Sequence, residues 1–597
     1  MKNKLHAISL FAAMTLLGAC GGKSSSTTTN NSNIPHEPDH VYVHSLSDPD
    51  MINPLNYQAA DAGYICKRLF ATLTYLDFKT LKLVPYLADS NARIVSNPDG
   101  SVDYTYTIRK EAKWDDGTPV TADDAEFSMK VMMCPLVNNE QNKPYYEKYT
   151  KLIRYPDNPN KLTMHLKEAY IQGESTAGDF FIIPKKIYDP ANILAAFTFE
   201  QIAAGRETLK KDPNIKKFAD NFNSEKYKRE KENIVGCGPY TFDKWETNQR
   251  IIIKKKANWW GDALINTNTA FDCNAPTIVY EVIKDQTTAV TALKGQKLDA
   301  MYGIKPKDFL ELKESESVKN NYTLNTPNSL AYAYFGLNTK KSKFNDKKVR
   351  QALAHLVDVD KMIKTLYYDM ALRVNADAIS YGDSAAYNFD IKPYEYNIEL
   401  AKTMLAEAGW KDSDGDGFLD KIINGKNEKF LIEYTYNAGN DIRQNAGMIF
   451  KENARQAGID VNVTPQEWAI YIKNQQDHNF EMCYGAWIKT PVNKDPKQIW
   501  HTDSYNGGSN YVGFGNPESD KLIEQIRSTV DKASYNVLSK QLQTIQHEEC
   551  AYIFLYAPQE RIALHNRFDN TYTTVMRPGF NEAAFKLKGT TAEASSK

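Results

Sequence analysis

Four aspartates in one short segment, Asp412, Asp414, Asp416 and Asp420, have a spacing that can bind a metal ion. The segment begins D-S-D-G-D-G, in which carboxylates at alternate positions converge and the second glycine permits a sharp turn, as in calcium-binding loops. Position twelve, a bidentate glutamate in an EF-hand, is Ile423 here, so Asp420 would have to complete a shorter site. Aspartate and glycine also form turns without a metal. The segment therefore predicts either a structural calcium site or an Asp/Gly turn, and no other cofactor is required.

Motifs of covalent catalysis are absent from the sequence. It contains no G-x-S-x-G nucleophile elbow and no H-E-x-x-H metalloprotease motif, since His547-Glu548 lacks the second histidine. Gly236-Cys237-Gly238 lacks the third glycine of a phosphate-binding loop and leads into the strand-like residues 239–242. We therefore expect a binding protein and not an enzyme.

The first 20 residues have the pattern of an export signal. Lys2 and Lys4 precede an apolar run over residues 8–19, which is too short to cross a bilayer of about 30 Å. Leu17-Gly18-Ala19-Cys20 resembles the bacterial lipobox, in which the cysteine carries the lipid, and an ordinary secretory signal is the alternative. Residues 21–35 are mostly Gly, Ser, Thr and Asn and predict a flexible tether. This pattern predicts a lipoprotein of the cell envelope, held by Cys20 on the periplasmic or extracytoplasmic side of a membrane.

The composition excludes some classes of protein. The chain has 597 residues, 42% of them hydrophobic, with a mean hydropathy of −0.55, which is typical of a globular protein of three or four domains or subdomains. Its 73 basic and 74 acidic residues leave no basic excess, which excludes a general nucleic-acid-binding protein. We expect a monomer.

The remaining cysteines leave two interpretations open. Their wide spacings, without a C-x-x-C pair, argue against a zinc site, whereas an oxidising compartment allows disulfides. Some could instead be small buried apolar residues. The six are Cys66, Cys134, Cys237, Cys273, Cys483 and Cys550.

Local patterns predict a mixed α/β chain. Apolar and polar residues alternate over 102–109, which predicts a strand. Thr121 and Asp346 are placed to cap helices, and Gly409 is placed to end a helix over 398–408.

Several groups of residues occur in the order in which they occur in one known family. They are Asn53-Pro54-Leu55, Leu69-Phe70-Ala71-Thr72-Leu73, residues 108–124 (IRKEAKWDDGTPVTADD), Gly236-Cys237-Gly238-Pro239-Tyr240, Asn258-Trp259-Trp260-Gly261, residues 344–353, residues 396–410 and Asn516-Pro517-Glu518. Together they resemble the extracellular solute-binding proteins of family 5, which include the oligopeptide- and dipeptide-binding receptors of ABC importers. The resemblance spans about residues 40–570.

The resemblance implies an α/β, two-lobed fold of the type II periplasmic-binding-protein kind, with an extra domain inserted in the first lobe. The ligand would be enclosed as the lobes close. The order of the motifs implies that residues 36–75, 232–335 and 546–597 form the first lobe, 76–231 the extra domain and 336–545 the second lobe.

The resemblance also implies a set of ligand contacts. Trp468 and Trp487 correspond to two pocket tryptophans whose flat rings accept varied side chains, and Tyr556 corresponds to a pocket tyrosine. The remaining predicted contacts are Gln58 and Ala60, where an extended peptide backbone would pair with the chain, Tyr149 (or Tyr145) from the extra domain, and Gln475 and Tyr484, at positions that are basic in some relatives.

One position departs from the peptide-binding relatives. Three residues after Trp487, an aspartate in those relatives binds the free amino terminus of the ligand, and Thr490 stands there in this chain. A neutral hydroxyl cannot replace the charge of a buried ion pair. Asp495 would replace it only in a rearranged loop.

We therefore expect a receptor that captures a peptide and delivers it to the transmembrane subunits of an ABC permease. Two alternatives remain open. The same fold binds non-peptide solutes such as metal chelates, opines and oligosaccharides, and a surface lipoprotein of this kind could serve signalling or adhesion.

Overall fold

The computed structural model describes residues 37–139, 142–377, 384–489, 491–492 and 495–589. Cys20, the tether and Thr490 lie outside the described residues. Within those ranges, no helix is both long enough and apolar enough to cross a membrane.

The first lobe is built on a seven-stranded mixed sheet. Its strands, in spatial order, are Tyr240–Glu246, Arg250–Lys255, Thr277–Val282, His40–Ser45, Ala300–Met301, Ile562–His565 and Tyr322–Asn325. The strand His40–Ser45 is parallel to Thr277–Val282, and both are almost wholly buried, as expected for central strands covered on both faces.

The second lobe is built on a five-stranded sheet. Its strands, in spatial order, are Asp460–Gln466, Leu431–Asn437, Met482–Ile488, Ala331–Leu337 and Tyr552–Phe554. The first three are parallel to one another, so their carboxyl ends meet at one edge of the sheet. The antiparallel strand Ala331–Leu337 begins at that edge, where Ala331 is paired with Ile488.

The extra domain contains a four-stranded antiparallel sheet. Its spatial order is Arg93–Ser96, Val102–Thr107, Asn158–Leu166 and Tyr149–Tyr155. Buried and half-buried residues alternate along Val102–Thr107, which confirms the strand predicted from its sequence. Short two-stranded ladders join Ala71–Thr72 to Phe181–Ile182, Thr74–Leu76 to Leu83–Pro85, Ala371–Arg373 to Tyr556–Pro558, Asp420–Ile423 to Lys426–Lys429, and Phe568–Asp569 to Lys586–Leu587.

Helices cover the sheets and connect their strands. The α-helices are Ala60–Leu69, Ala122–Met133, Lys143–Tyr146, Gly173–Gly178, Lys185–Tyr188, Phe199–Ala204, Arg206–Leu209, Pro213–Phe222, Lys226–Arg229, Gln286–Lys294, Pro306–Glu314, Glu316–Asn321, Lys347–Ala354, Val359–Leu366, Ile398–Glu407, Asp441–Gln456, Trp468–Gln476, Lys497–Trp500, Pro517–Ser528 and Lys532–Glu549. Single 3₁₀ turns are formed by Ile193–Ala196, Lys231–Asn233, Asp262–Leu264, Thr502–Tyr505 and Glu582–Ala584.

The predicted helix ends are confirmed. Thr121 donates its backbone N–H to the carboxylate of Asp124 at 3.0 Å, as part of a capping box. The carboxylate of Asp346 accepts the N–H of Lys348 at 2.8 Å. Gly409, at φ +86°, follows the helix that ends at Glu407 and takes the left-handed conformation that stops a helix.

The strand pairing corrects two of the predicted boundaries. Ala331–Leu337 and Tyr552–Phe554 both belong to the sheet of the second lobe, although 331–335 and 546–597 were predicted to lie in the first lobe. The strand Tyr556–Pro558 also pairs with the second-lobe strand Ala371–Arg373, so the chain passes between the lobes at residues 326–330 and 559–561. These crossings are determined by pairing between strands that are distant in sequence, and the family motifs do not indicate which strands pair.

The described cysteines form no disulfide. All six are buried with free thiols, and burial raises the pKa of each. Of the two interpretations left open, the structure supports the small buried apolar residue.

Candidate ligand-binding site between the lobes

A cavity of about 240 Å³ lies where the two lobes and the extra domain meet. Residues of the first lobe (Phe70, Tyr75, Met576), the extra domain (Phe181) and the second lobe (Ile488, Pro491) contribute to a largely apolar wall. Ile488 ends the strand Met482–Ile488 and Pro491 follows it, at the edge at which ligands bind in open α/β sheets. We call this space the interlobe cavity.

Of the residues that the structure describes, four charged ones line the interlobe cavity, and two of them are neutralised by the protein. The ammonium group of Lys489 lies 2.5 Å from a carboxylate oxygen of Asp377, and the guanidinium of Arg577 lies 3.1 Å from that of Glu560. Asp377 also accepts hydrogen bonds from Trp500, at 3.0 Å, and from Tyr332. These two cations therefore have partners before any ligand arrives.

The other two charged residues, Asp179 and Lys67, have no such partner. Among the residues that the structure describes, neither side chain has a hydrogen bond or an ion pair. Asp179 follows the helix Gly173–Gly178 and is exposed to the cavity although protein surrounds it. Burial raises the pKa of Asp179 to about 6, an effect that the nearby charge of Lys67 only partly opposes. Burial also lowers the pKa of Lys67.

The two predicted pocket tryptophans lie near the sheet edge that faces the cavity. Trp487 is half-buried, one residue before the cavity-lining Ile488, and its indole N–H donates to the hydroxyl of Tyr552 at 3.3 Å. Trp468 begins the helix Trp468–Gln476, directly after a parallel strand of the same sheet, and is 55% exposed. An exposed indole at this edge is available to a ligand, so contact by both tryptophans stays a prediction.

Three other predicted contacts lie inside the second lobe. Tyr556 and Tyr484 are buried, with their hydroxyl oxygens 2.9 Å apart. Gln475 is also buried, and its side-chain oxygen lies 4.0 Å from the sulfur of Cys483. In this conformation a ligand reaches these side chains only if the lobe rearranges, and their role stays a prediction.

The remaining predicted contacts have partners within the protein. The backbone N–H of Gln58 donates to Asp50 at 2.8 Å, and Ala60 begins the helix Ala60–Leu69. Tyr149 is fully buried in the extra domain, and its hydroxyl donates to the carbonyl of Gly173 at 2.9 Å. The structure therefore does not bring these three together at the interlobe cavity, and their contact with ligand is untested.

Comparison with known proteins assigns the chain to a family. The family described as bacterial extracellular solute-binding proteins, family 5 (middle), matches residues 82–510. The chain belongs to this family. Its two-lobed fold with an extra domain is the fold of the family, as the resemblance implied.

Relatives of this family 5 protein match it along most of its length. It is 28% identical over 578 residues to the oligopeptide-binding protein AppA of Bacillus subtilis, covering 94% of this chain and 95% of AppA. The structure of AppA with a nonapeptide aligns with a TM-score of 0.70 at 26% identity, covering 92% and 98% of the two chains. Haem-binding protein A of Haemophilus influenzae is 25% identical over 580 residues, covering 92% and 93%.

Asp495, the alternative weighed for the amino-terminal subsite of this family 5 protein, is not free. Its carboxylate oxygens lie 2.8 and 3.0 Å from Nε of Arg527. Sequence reasoning missed Asp179 and Lys67, the two cavity charges without a partner. No motif marks either residue, because they are distant in sequence and only the fold brings them to one cavity.

The aspartate loop of this family 5 protein is compatible with both interpretations. Carboxylate oxygens of Asp412, Asp414 and Asp420 lie within 4.8 Å of one another, a grouping that suits a cation with oxygen ligands. Asp416 does not belong to this group, and its carboxylate pairs with the ammonium of Lys429, which also lies 3.5 Å from a carboxylate oxygen of Asp414. The carboxylate of Asp412 accepts the N–H of residues 415 and 417, as in a metal-free Asp turn.

Proposed function

We propose that this protein is the receptor of an ABC importer that captures an oligopeptide between its lobes and delivers it to the transmembrane subunits of the permease. It carries out no covalent chemistry. The observation that carries the proposal is the interlobe cavity, which combines apolar and aromatic walls with one free carboxylate and one free ammonium group among the described residues. A peptide offers the complementary groups: apolar side chains, an ammonium and a carboxylate.

Closure of the lobes would couple binding to delivery. The chain passes between the lobes at only two described segments, 326–330 and 559–561, which suits a hinge. The lobes also approach at Lys305 and Asp441, whose charged groups are 3.9 Å apart and exposed. An exposed pair of this kind contributes little. Ligand contacts with both lobes would add free energy that favours the closed state.

We further propose that lipid on Cys20 anchors the protein to the cell envelope and that residues 21–35 hold its body away from the membrane. The apolar run at 8–19 is suited to export, and the Ser/Thr/Asn-rich segment to a tether. Radiolabelled palmitate incorporation that is lost in Cys20→Ser tests this anchor.

A second candidate is a non-peptide solute of similar size. The likeness to a haem-binding protein over 92% of the chain favours keeping this candidate, and so does Thr490 in place of a carboxylate. The fold accommodates either ligand, because the side chains that line the cavity, and not the two-lobed architecture, determine which ligand is bound.

Native mass spectrometry of the mature protein, purified gently from cells, tests the proposal. We expect a heterogeneous set of adducts that denaturation releases and that fragment as peptides. A single adduct that does not fragment as a peptide would contradict the peptide assignment. If no adduct survives purification, protein washed with mild denaturant and refolded is titrated with a pool of synthetic peptides of two to nine residues, and no binding would overturn the proposal.

A further inference from the structure

We infer that Asp179, which the extra domain contributes, binds the ammonium group of the ligand in place of a carboxylate from the second lobe. This inference rests on the proposed function and specifies which wall of the cavity recognises the amino terminus. The argument depends on the partners of the carboxylates near the cavity and on the position of Asp179.

Two described acidic residues of the second lobe, Asp377 and Asp495, are already paired. Asp377 accepts from Lys489, Trp500 and Tyr332. Asp495 lies against Nε of Arg527, at 2.8 and 3.0 Å. Binding a ligand ammonium at either carboxylate would require breaking bonds to a protein cation, which would leave that cation without its partner.

Asp179 differs because it lines the same cavity without a partner. Lys489 and Pro491, on either side of position 490, line this cavity together with Asp179. A ligand amino group in this cavity is therefore in the same space as Asp179. Among the described residues, no cation lies within 4.0 Å of Asp179, so its carboxylate is open to a ligand.

Lys67 influences the pKa of Asp179 but forms no ion pair with its carboxylate. The two side chains interact electrostatically but form no ion pair, and the charge of Lys67 favours the ionised form of Asp179. The cavity wall near them is largely apolar, with Phe70 and Phe181 among its residues, so water screens a charge there less than at the surface. A ligand ammonium would supply the counter-charge that the protein does not.

The test compares ligands that differ only at the amino terminus. Protein freed of ligand is titrated with a pool of synthetic peptides of two to nine residues, in free-amine and N-acetylated forms, and binding is followed by native mass spectrometry. We expect the wild type to bind the free-amine form at least tenfold more tightly. Equal affinity for the two forms overturns the inference and leaves the proposed function standing, whereas failure to bind any peptide overturns both.

The variant Asp179→Asn removes the charge and keeps the shape. We expect its affinity for the free-amine peptides to fall roughly 30-fold or more and its affinity for the N-acetylated peptides to be unchanged. A merely structural role would weaken both forms alike. Asp103→Asn is the matched control, because Asp103 is a carboxylate of the same domain, paired with His165 at 2.7 Å, and does not line the cavity.

Asp179→Ser, which also lacks the charge, guards against a folding defect in the first variant. If Asp179→Asn does not fold, we expect folded Asp179→Ser to lose the preference for free-amine peptides. A preference equal to that of the wild type in this variant would contradict a direct contact at this carboxylate.

Discussion

The two walls of the interlobe cavity use their carboxylates differently. On the second lobe, Asp377 is held by a lysine, a tryptophan and a tyrosine, and Lys489 is neutralised by it. On the extra domain, Asp179 faces the same cavity with no partner of its own among the described residues. Burial raises the pKa of Asp179 to about 6, because it disfavours the ionised form more than the charge of Lys67 favours it.

This difference separates a carboxylate that stabilises the fold from one that is available for binding. A buried charge that has all its partners helps to hold one well-ordered structure. Its removal leaves the partner charge buried without compensation, which lowers the stability of the fold. A partly buried charge without partners lowers the stability of the folded protein. A ligand of opposite charge would offset this loss when it binds. The comparison predicts opposite effects on stability for similar substitutions on the two walls.

The largest expected effect is on the second-lobe wall. Asp377→Asn should destabilise the ligand-free protein by about 2–4 kcal/mol, because Lys489 would remain largely buried without its counter-charge. Urea unfolding followed by tryptophan fluorescence measures the effect as a lower midpoint. Asp503→Asn is the control, since Asp503 is 70% exposed and should change stability by less than about 0.5 kcal/mol. An unchanged midpoint in Asp377→Asn would show that the two walls do not differ in this way.

The aspartate loop offers an intermediate case, because its carboxylates have backbone partners and are still grouped. If calcium binds there, 1 mM calcium should stabilise the protein by about 1–3 kcal/mol relative to chelator, with Asp414→Asn abolishing the effect. Thermal unfolding with calcium and with chelator measures it. The same melting temperature in both conditions would identify the segment as an Asp/Gly turn.

The smallest expected effect is on the wall of the extra domain, and its sign is opposite. The pKa of Asp179 is about 6 in the folded protein and 3.8 for an ordinary aspartate, so between these values the folded state binds the additional proton. Stability contributed by this group therefore falls as pH rises from about 4 to 6. Asp179→Asn should equal the wild type near pH 4 and exceed it at pH 7 by less than about 1 kcal/mol, since cavity water screens the exposed carboxylate.

Urea unfolding of ligand-free wild type and Asp179→Asn at both pH values measures this difference. Comparing the two proteins at each pH cancels the other titrating groups. A variant that is less stable than the wild type at pH 7 would mean that Asp179 has a stabilising partner, and the contrast between the walls would be lost.

The sequence by itself determined the features that depend on residues close together in the chain. Helix caps at Thr121 and Asp346, the strand Val102–Thr107 and the stop at Gly409 follow from local periodicity and backbone conformation. Motifs in a fixed order also sufficed to identify the family, and with it the two-lobed fold.

Only the tertiary structure decided where the lobes join and which charges are free. The crossings depend on which strands pair with Ala331–Leu337 and Tyr552–Phe554, and these partners are distant in sequence. Asp495 and Asp179 are both aspartates in irregular segments, and nothing local distinguishes them. One is neutralised by Arg527 and the other faces a cavity, because the fold brings a guanidinium to the first and, among the residues that the structure describes, none to the second. Whether a charged side chain is available to a ligand depends on the groups around it, and these groups come together only when the chain folds.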